Sequence, residues 1–397
     1  MKRNYLKKIS LITMFLFIHV LFYGQTKIHN VNPNSSVEAV NLLNFLYEIK
    51  GKYILAGQHN YISTESTQTE RAKAFTGKYP IVWGSDFSFC YEGDSPKDFQ
   101  HCGPLNITMP GDSCYITNLK PAAARQRLVN NAIKLNKEGF IITLMWHACP
   151  PGLEDCCNGN RIWTFGKENH LTQQQMDELT TDDTPLNESW KRQTDTIAFY
   201  LKQLCDAKVP VLWRPYHENN GVWFWWCNHP GDKGFKKLWI MMYKRFVDYH
   251  KLNNLIWVWN TNAPRDKKGD EAGPYENYYP GVDYVDIFAT DVYRKDWKQS
   301  HHDDLLKLAN GKPIALGEVG DIPTGDILKN QKEWVWFMPW FSWMYNDPKP
   351  GMEISKNGED LKKRSEDIRR TYSLPQLITK DEVIKNKNGE LDIKPVN

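Results

Sequence analysis

Eight times along the chain, a run of apolar residues rich in β-branched and aromatic side chains ends on a polar or ionisable one. The runs are Lys52–His59, Pro80–Ser88, Phe140–His147, Val209–Trp213 with the polar residues that follow it, Asn254–Asn262, Val285–Tyr293, Lys312–Gly320 and Trp334–Ser342. They are apolar on successive rather than alternate positions, which is the pattern of strands covered on both faces and hence of a parallel sheet. Amphipathic stretches of helical length separate most of them, among them Asn118–Lys137, Leu186–Lys208 and Asp232–Lys251. Alternating strand and helix, repeated through eight strands, predicts an α/β chain closed into a single (β/α)8 TIM barrel. The alternative is an open doubly wound sheet, which carries a glycine-rich phosphate turn after its first strand. The residues after His59 contain no such turn.

The rest of the chain is read around that barrel. Lys2, Arg3, Lys7 and Lys8 precede an apolar run, Ile9–Tyr23, that ends at Gly24-Gln25. A basic start and an apolar segment shorter than the ~20 residues of a spanning helix predict a cleaved signal peptide over 1–24. Export to the periplasm or the medium is therefore expected; an uncleaved membrane anchor is the competing reading. The mature part, 25–397, is expected to be one catalytic domain and a monomer, with no internal repeat or second domain. Val37–Ile49 and Glu359–Tyr372 have helical spacing, and Leu377–Ile384 is expected to pack as a last segment. Tyr91–Thr117 and Asp155–Gln175 are rich in polar and turn-forming residues and read as insertions over the C-terminal face of the barrel. Six of the eight cysteines fall in or beside these insertions: Cys90, Cys102, Cys114, Cys149, Cys156 and Cys157. In an exported protein they are expected to form disulfides stapling the loops. Cys205, inside a helical pattern, is expected to be a buried free thiol.

Without residues 1–24, the chain has 46 basic and 47 acidic residues. Such a balance provides no electrostatic footprint for nucleic acid or an anionic membrane, so neither a nucleic-acid partner nor a stable membrane anchor is expected. Aromatic residues make up 13% of the sequence, with 16 Trp. Indole faces stack on the C–H faces of sugars, so this load points to a carbohydrate ligand.

One segment concentrates the chemistry. Val209–Trp226 reads VPVLWRPYHENNGVWFWW, a short strand followed at once by Arg214, Tyr216, His217 and Glu218 and then four aromatic residues. A carboxyl at the C-terminal end of a barrel strand, beside a histidine and tryptophans, suits protonation of a glycosidic oxygen. Glycoside hydrolysis needs a second carboxyl, and Glu318 ends the seventh run in ALGEVG. Strict strand alternation would put Leu212, Arg214, Tyr216 and Glu218 on one face, and Ile314, Leu316 and Glu318 on one face. The fourth and seventh strands lie across the barrel from each other, and their two carboxyls can close to the ~5 Å of a retaining enzyme. Gly317 and Gly320 would leave room for a sugar beside Glu318.

Mid-strand Trp83, Trp257 and Trp259 are expected in the core. His59 divides between core and cleft, Trp163 and Trp343 between outer platform and packing, and the Arg265–Glu271 turn reads as a solvated loop. Neither a cofactor nor a metal site is expected. A metal-dependent hydrolase is the chemical rival, because His59, His147 and His217 all end strands, but the first strand lacks an H-x-H pair. A non-catalytic glycan-binding barrel is the rival from another class.

RPYHENNGVWFWW together with ALGEVG resembles glycoside hydrolase family 26 of clan A, best known for endo-β-1,4-mannanases, and the likeness extends to the AGQH, GSDF, WH and DVY segments. The resemblance implies a retaining double displacement on β-mannan, glucomannan or galactomannan, with Glu218 as acid/base and Glu318 as nucleophile. It implies further that His217, where most of the clan has Asn, orients the substrate and Glu218. His147, Trp223, Tyr293 and Trp340 would serve as sugar-subsite residues, Tyr293 also bonding the nucleophile with Asp291 beside it. Arg214 is expected to hold a carboxylate through its guanidinium fork. Asn219 departs from the family's usual Met. Within the resemblance, β-1,3-xylan and mixed-linkage β-glucan are the alternative substrates.

Overall fold

The computed structural model describes residues 30–62, 65–87, 121–153, 162, 170–340, 342–355, 358–386 and 389–394. Eight parallel strands form a closed barrel. They are β1 (Ile54–His59), β2 (Val82–Asp86), β3 (Ile141–Trp146), β4 (Val211–Pro215), β5 (Leu255–Asn262), β6 (Ile287–Val292), β7 (Ile314–Val319) and β8 (Trp334–Pro339). Each pairs with its sequence neighbour, and β8 pairs back onto β1 through Leu55↔Trp336. All eight coincide with the apolar runs of the sequence to within a few residues.

Two packed layers explain why the runs are apolar throughout. One side of each strand faces the surrounding helices, where Trp83, Trp213, Trp257 and Trp259 are buried, as expected of the mid-strand indoles. The other side fills the barrel. There Leu55, Leu212, Val258, Ala315 and Trp336 pack against Leu42 and Leu46 of helix α1 (Val37–Ile49). Ser36 caps that helix by accepting from the Ala39 N–H at 3.2 Å. Helix α1 is therefore a plug across the bottom of the barrel rather than a strand-to-strand crossover.

The final segments lie close to expectation. The Leu361–Thr371 helix is followed by Leu377–Ile378, which pairs in parallel with the start of β1, and by an antiparallel pair of Val383–Lys385 with Leu391–Ile393. The signal segment, the 91–117 insertion, most of 155–175 and Trp163 lie outside the described residues, as do Cys90, Cys102, Cys114, Cys156 and Cys157. Cys149 is disulfide-bonded and Cys227 is a buried free thiol. Cys205 is free but only half-buried, with Sγ 3.1 Å from Asn253 Oδ1, so the expectation of full burial is corrected. Among the described residues, no helix is long and apolar enough to cross a membrane.

Candidate active site

Strand β4 stops at Pro215, and the chain leaves it through a turn in which Tyr216 and Glu218 both have positive φ, 48° and 53°. This overturns the single-face expectation. Tyr216 turns outward, its hydroxyl accepting from Trp190 Nε1 at 2.9 Å among Trp146, Trp225 and Trp226. Glu218 turns into the barrel mouth. Two left-handed non-glycine residues so close together are costly and persist only where surroundings hold them. The hold is visible: the Glu218 N–H donates to Asn260 O at 2.9 Å, and Asn219 Nδ2 donates to the same carbonyl at 3.0 Å. Asn219 thus spends its amide on the scaffold of the turn.

The aromatic cluster divides in the same way. Trp225 and Trp226 are fully buried, their N–H groups donating to Ala148 O and His217 O, both at 2.8 Å. They are the foundation of the turn, not a sugar platform. Trp223 instead donates Nε1–H to Glu218 Oε2 at 2.5 Å. Asn262 Nδ2 donates to the other oxygen, Oε1.

Glu318 reaches the same mouth by a different irregularity. Ile314 and Leu316 pack outward with the helices, whereas Ala315 points into the barrel. Alternation would carry Glu318 outward with them. The β6–β7 register slips between the pairs Thr290↔Leu316 and Asp291↔Glu318, leaving Gly317 as an extra residue. This bulge re-aims Glu318 inward. A Cβ on Gly317 would lie 1.9 Å from Asn260 Oδ1 and 2.8 Å from Asp291 Oδ1, so glycine is required here by close packing rather than as space for a sugar.

With both irregularities in place, carboxylate oxygens of Glu218, Asp291 and Glu318 lie within 4.8 Å of one another. Glu318 Oε2 accepts from the Tyr293 hydroxyl at 2.6 Å, and Oε1 from Arg214 Nη2 at 3.3 Å. Arg214 does not grip a carboxylate with two parallel bonds, as expected. Its Nη1 donates to Asn260 Oδ1 at 2.5 Å, and Asn260 Nδ2 donates onward to Asp291 Oδ1 at 2.7 Å.

These neighbours set the charge states. Burial, then the nearby Glu318 charge, push the Glu218 carboxyl up to about 7, against the opposing pull of its Asn262 and Trp223 donors. Asp291 is held well above the usual carboxylate range, mainly by burial and then by the charges of Glu318 and Glu218. Burial, with His147 and Arg214 nearby, keeps His217 well below the ordinary histidine value. Its ring is therefore neutral at pH 7, and the 3.9 Å approach of Nε2 to Glu318 Oε1 is not an ion pair. Tyr293 is held well above the ordinary phenol range by burial and the same carboxylates, so its hydroxyl remains a donor.

The remaining expected residues line this centre. His147 Nδ1 lies 2.6 Å from Asp86 Oδ2, and its backbone N–H donates to Asp86 Oδ1 at 3.1 Å, so one carboxylate fixes both ring and backbone. The rings of His147 and His217 meet edge to face, centroids 4.7 Å apart. His59 is fully buried and stacks on Trp340 with centroids 3.9 Å apart, so it backs Trp340 from the core. Sequence reasoning missed four supports: Asp86, Asn260, Asn262 and Arg265. Asp86 and Asn262 end β2 and β5, and Asn260 lies two residues before the end of β5; all three are polar residues after apolar runs, a signal carried by SDF and WNTN. The sequence pattern puts Arg265 in a solvated loop. That is incorrect, because its guanidinium lies 4.9 Å from the Trp223 ring centroid and donates to Asn262 Oδ1.

The family model for glycosyl hydrolase family 26 matches residues 31–96 and 114–380. Over 315 residues the chain is 30% identical to a mannan endo-1,4-β-mannosidase of Thermothelomyces thermophilus, an alignment covering 78% of this chain and 56% of the relative. It likewise spans about half the length of the other two leading curated relatives, the mannan endo-1,4-β-mannosidases B and A of Piromyces sp.. Among solved structures, GH26A from Muricauda sp. MAR_2010_75 superposes with a TM-score of 0.73 at 40% identity, covering 89% of this chain and 99% of that one. A β-mannanase from a symbiotic protist of the termite Reticulitermes speratus, complexed with gluco-manno-oligosaccharide, superposes at 0.64 with 28% identity, covering 89% and 96%. A barrel of this order, two glutamates converging from β4 and β7, and a family match spanning most of the sequence place the chain in glycosyl hydrolase family 26.

Proposed function

We propose that the chain is a retaining, endo-acting β-1,4-mannanase. The carrying observation is the approach of Glu218 and Glu318 to within 4.8 Å at the open end of a plugged barrel. Retaining glycosidases hold their carboxyls about 5 Å apart, whereas inverting ones leave about 6.5–9.5 Å for a water. Mannan as the substrate class is supported by the names of the relatives, which are mannan endo-1,4-β-mannosidases and β-mannanases.

In this reading Glu318 is the nucleophile. Its carboxylate attacks the anomeric carbon while Glu218 gives its proton to the departing glycosidic oxygen, forming a glycosyl ester and a shortened chain. Esterification removes the Glu318 charge that helps hold the Glu218 proton. Glu218, left ionised by the first step, then acts as base and takes a proton from water while the water oxygen attacks the anomeric carbon and Glu318 leaves as a carboxylate. Arg214 and Tyr293 steady the nucleophile; His147, His217 and Trp340 line the sugar's path.

The metal-hydrolase reading is disfavoured by what surrounds the three carboxylates. Arg214, Tyr293, Trp223 and Asn262 already direct N–H or O–H donors at Glu218 and Glu318 oxygens, lone pairs that a divalent cation would need. Export through residues 1–24 and action as a monomer complete the proposal. The test is hydrolysis of glucomannan, galactomannan, β-1,3-xylan and lichenan by the purified protein, with product sizing and excess chelator as a control. Mixed oligosaccharides from the mannans alone, unaffected by chelator, are expected. Cleavage of xylan or lichenan instead would transfer the assignment to those substrates, and no cleavage of any would leave a glycan-binding barrel.

A further inference from the structure

The loop after β5 contributes more to the site than its composition suggests. Arg265 donates to Asn262 Oδ1, and Asn262 Nδ2 donates to Glu218 Oε1. The guanidinium also lies 4.9 Å from the centroid of Trp223, whose Nε1–H holds Glu218 Oε2 at 2.5 Å. We propose that Arg265 is a positioning residue for Glu218, fixing through Asn262 and Trp223 both N–H donors that hold its two carboxyl oxygens. The proposal rests on the reading of Glu218 as acid/base.

The chemistry of the relay gives it a direction. A guanidinium has no acceptor, so the Asn262 amide must turn its oxygen to Arg265 and its NH2 to Glu218. Without Arg265 nothing in that contact stops the amide from flipping and presenting oxygen to the carboxylate. The cation over the indole also holds the ring that carries the second donor.

Arg265 is itself immobilised. Its Nε donates to Asp270 O at 2.8 Å and its Nη2 to Asp270 Oδ1 at 2.7 Å, and its backbone pairs with Ala272. Asp270 is tied in turn to Arg294, just after β6, and to Lys267 at 3.7 Å. Asn262 is braced separately: its N–H donates to Asn220 Oδ1 at 2.7 Å, and Asn220 Nδ2 donates back to its carbonyl at 2.8 Å. The relay thus joins a clamped loop to a clamped strand end.

The charged and titratable groups acting on Glu218 come from several elements. Glu318 faces it from β7, Asp291 from β6, Tyr293 and Arg294 from just after β6, Arg265 from the loop after β5, and Cys227 from beyond the tryptophan cluster. Of the two cations in this set, Arg265 is the one hydrogen-bonded into the grip on Glu218.

The test follows Glu218 by 13C NMR of protein labelled at the glutamate carboxyl, with Glu218→Gln assigning the signal, alongside pH profiles of hydrolysis. Arg265→Met should raise the Glu218 titration midpoint by about 1 pH unit and move the alkaline limb of kcat/KM the same way. It should also lower kcat on an activated aryl glycoside more than kcat/KM, because the base step becomes slower. Arg265→Lys should recover part of the shift, and Asn262→Ala should reproduce it with the arginine intact, which keeps the test valid if the methionine variant fails to fold. An unmoved midpoint in Arg265→Met or Asn262→Ala, even with activity lost, overturns the proposal, as does a lysine variant no better than methionine. The NMR midpoints need no substrate, so a shift in a protein that cleaves no glycan would support the positioning role while removing the hydrolase reading.

Discussion

Glu218 and Glu318 bring carboxylate oxygens within 4.8 Å of each other, and neither gets there by the regular geometry of its strand. Glu218 sits in a left-handed turn beyond the end of β4, and Glu318 is re-aimed by a register slip on β7. Two buried acids at this distance cannot both ionise freely, so their proximity is a property of the fold with thermodynamic consequences.

The first consequence is for stability. The folded protein holds the Glu218 carboxyl up to about 7 from an ordinary 4.5, mainly through burial. A raised folded-state value means that the contribution to stability is present in full below about 4.5 and is lost as pH rises through about 7. Glu218→Gln cannot lose it. The stability of the variant relative to wild type should therefore grow between pH 4.5 and 8, by roughly 3 kcal/mol as an upper order of magnitude. Urea unfolding at several pH values measures the difference, and a difference independent of pH would contradict the assigned burial.

A second prediction separates the roles of the two acids. Glu218→Ala removes the proposed proton donor, so substrates with poor leaving groups should lose several orders of magnitude in rate, about 10²–10⁴-fold. Activated aryl glycosides, which need no protonation, should keep their first step and stall at the second. Added azide should restore turnover on these by attacking the glycosyl ester, giving a glycosyl azide with retained configuration. Equal losses on both substrate types, with no azide effect, would count against Glu218 as acid/base.

How much of this was legible beforehand depends on scale. Period and polarity along eight runs carried the barrel, since a strand covered on both faces has to be apolar at successive positions, as in Phe140–Met145. The two glutamates were also readable, because each is the carboxylate at the polar end of an apolar run. Their route was not. Strict alternation put Tyr216 beside Glu218 and Ile314 beside Glu318, yet a positive φ at one strand end and a bulge in the other reverse both. Such reversals depend on backbone contacts with neighbouring strands, Asn260 O for Glu218 and the Asp291 pairing for Glu318, which no local pattern encodes. The same limit hid Arg265, charged and set among Lys and Asp residues, whose environment is decided by Trp223 and Asn262.

Gly317 tests the bulge directly. A methyl group there would meet Asn260 Oδ1 at 1.9 Å, and Asn260 cannot simply retreat, being bonded to Arg214 at 2.5 Å and to Asp291 at 2.7 Å. Gly317→Ala should cost about 1–3 kcal/mol by overpacking and displace the pair of donors that set Arg214 against Glu318. Both a lower melting temperature and a fall in kcat are expected. A variant as stable and active as wild type would show that the bulge has slack this packing denies.

The last prediction concerns the hydrogen bond to Glu318, the proposed nucleophile. Tyr293 donates to Glu318 Oε2 at 2.6 Å, and burial, then the nearby carboxylates, keep the phenol protonated well above the ordinary range, so the donor persists through any working pH. Tyr293→Phe deletes that donor while leaving the ring. A hydrogen bond to a charged group is worth about 1.5–3 kcal/mol. Attack consumes the Glu318 charge, so the bond also steadies the resting carboxylate, and its loss has opposing effects: a less stabilised but more nucleophilic oxygen, and a less well-aimed one. If aim dominates, as a buried preorganised site implies, kcat/KM should fall roughly 10–100-fold while the melting temperature drops by only a few degrees. Steady-state kinetics with a thermal melt on the same preparation decide it. A rate equal to or above wild type would mean that Arg214 alone positions the nucleophile.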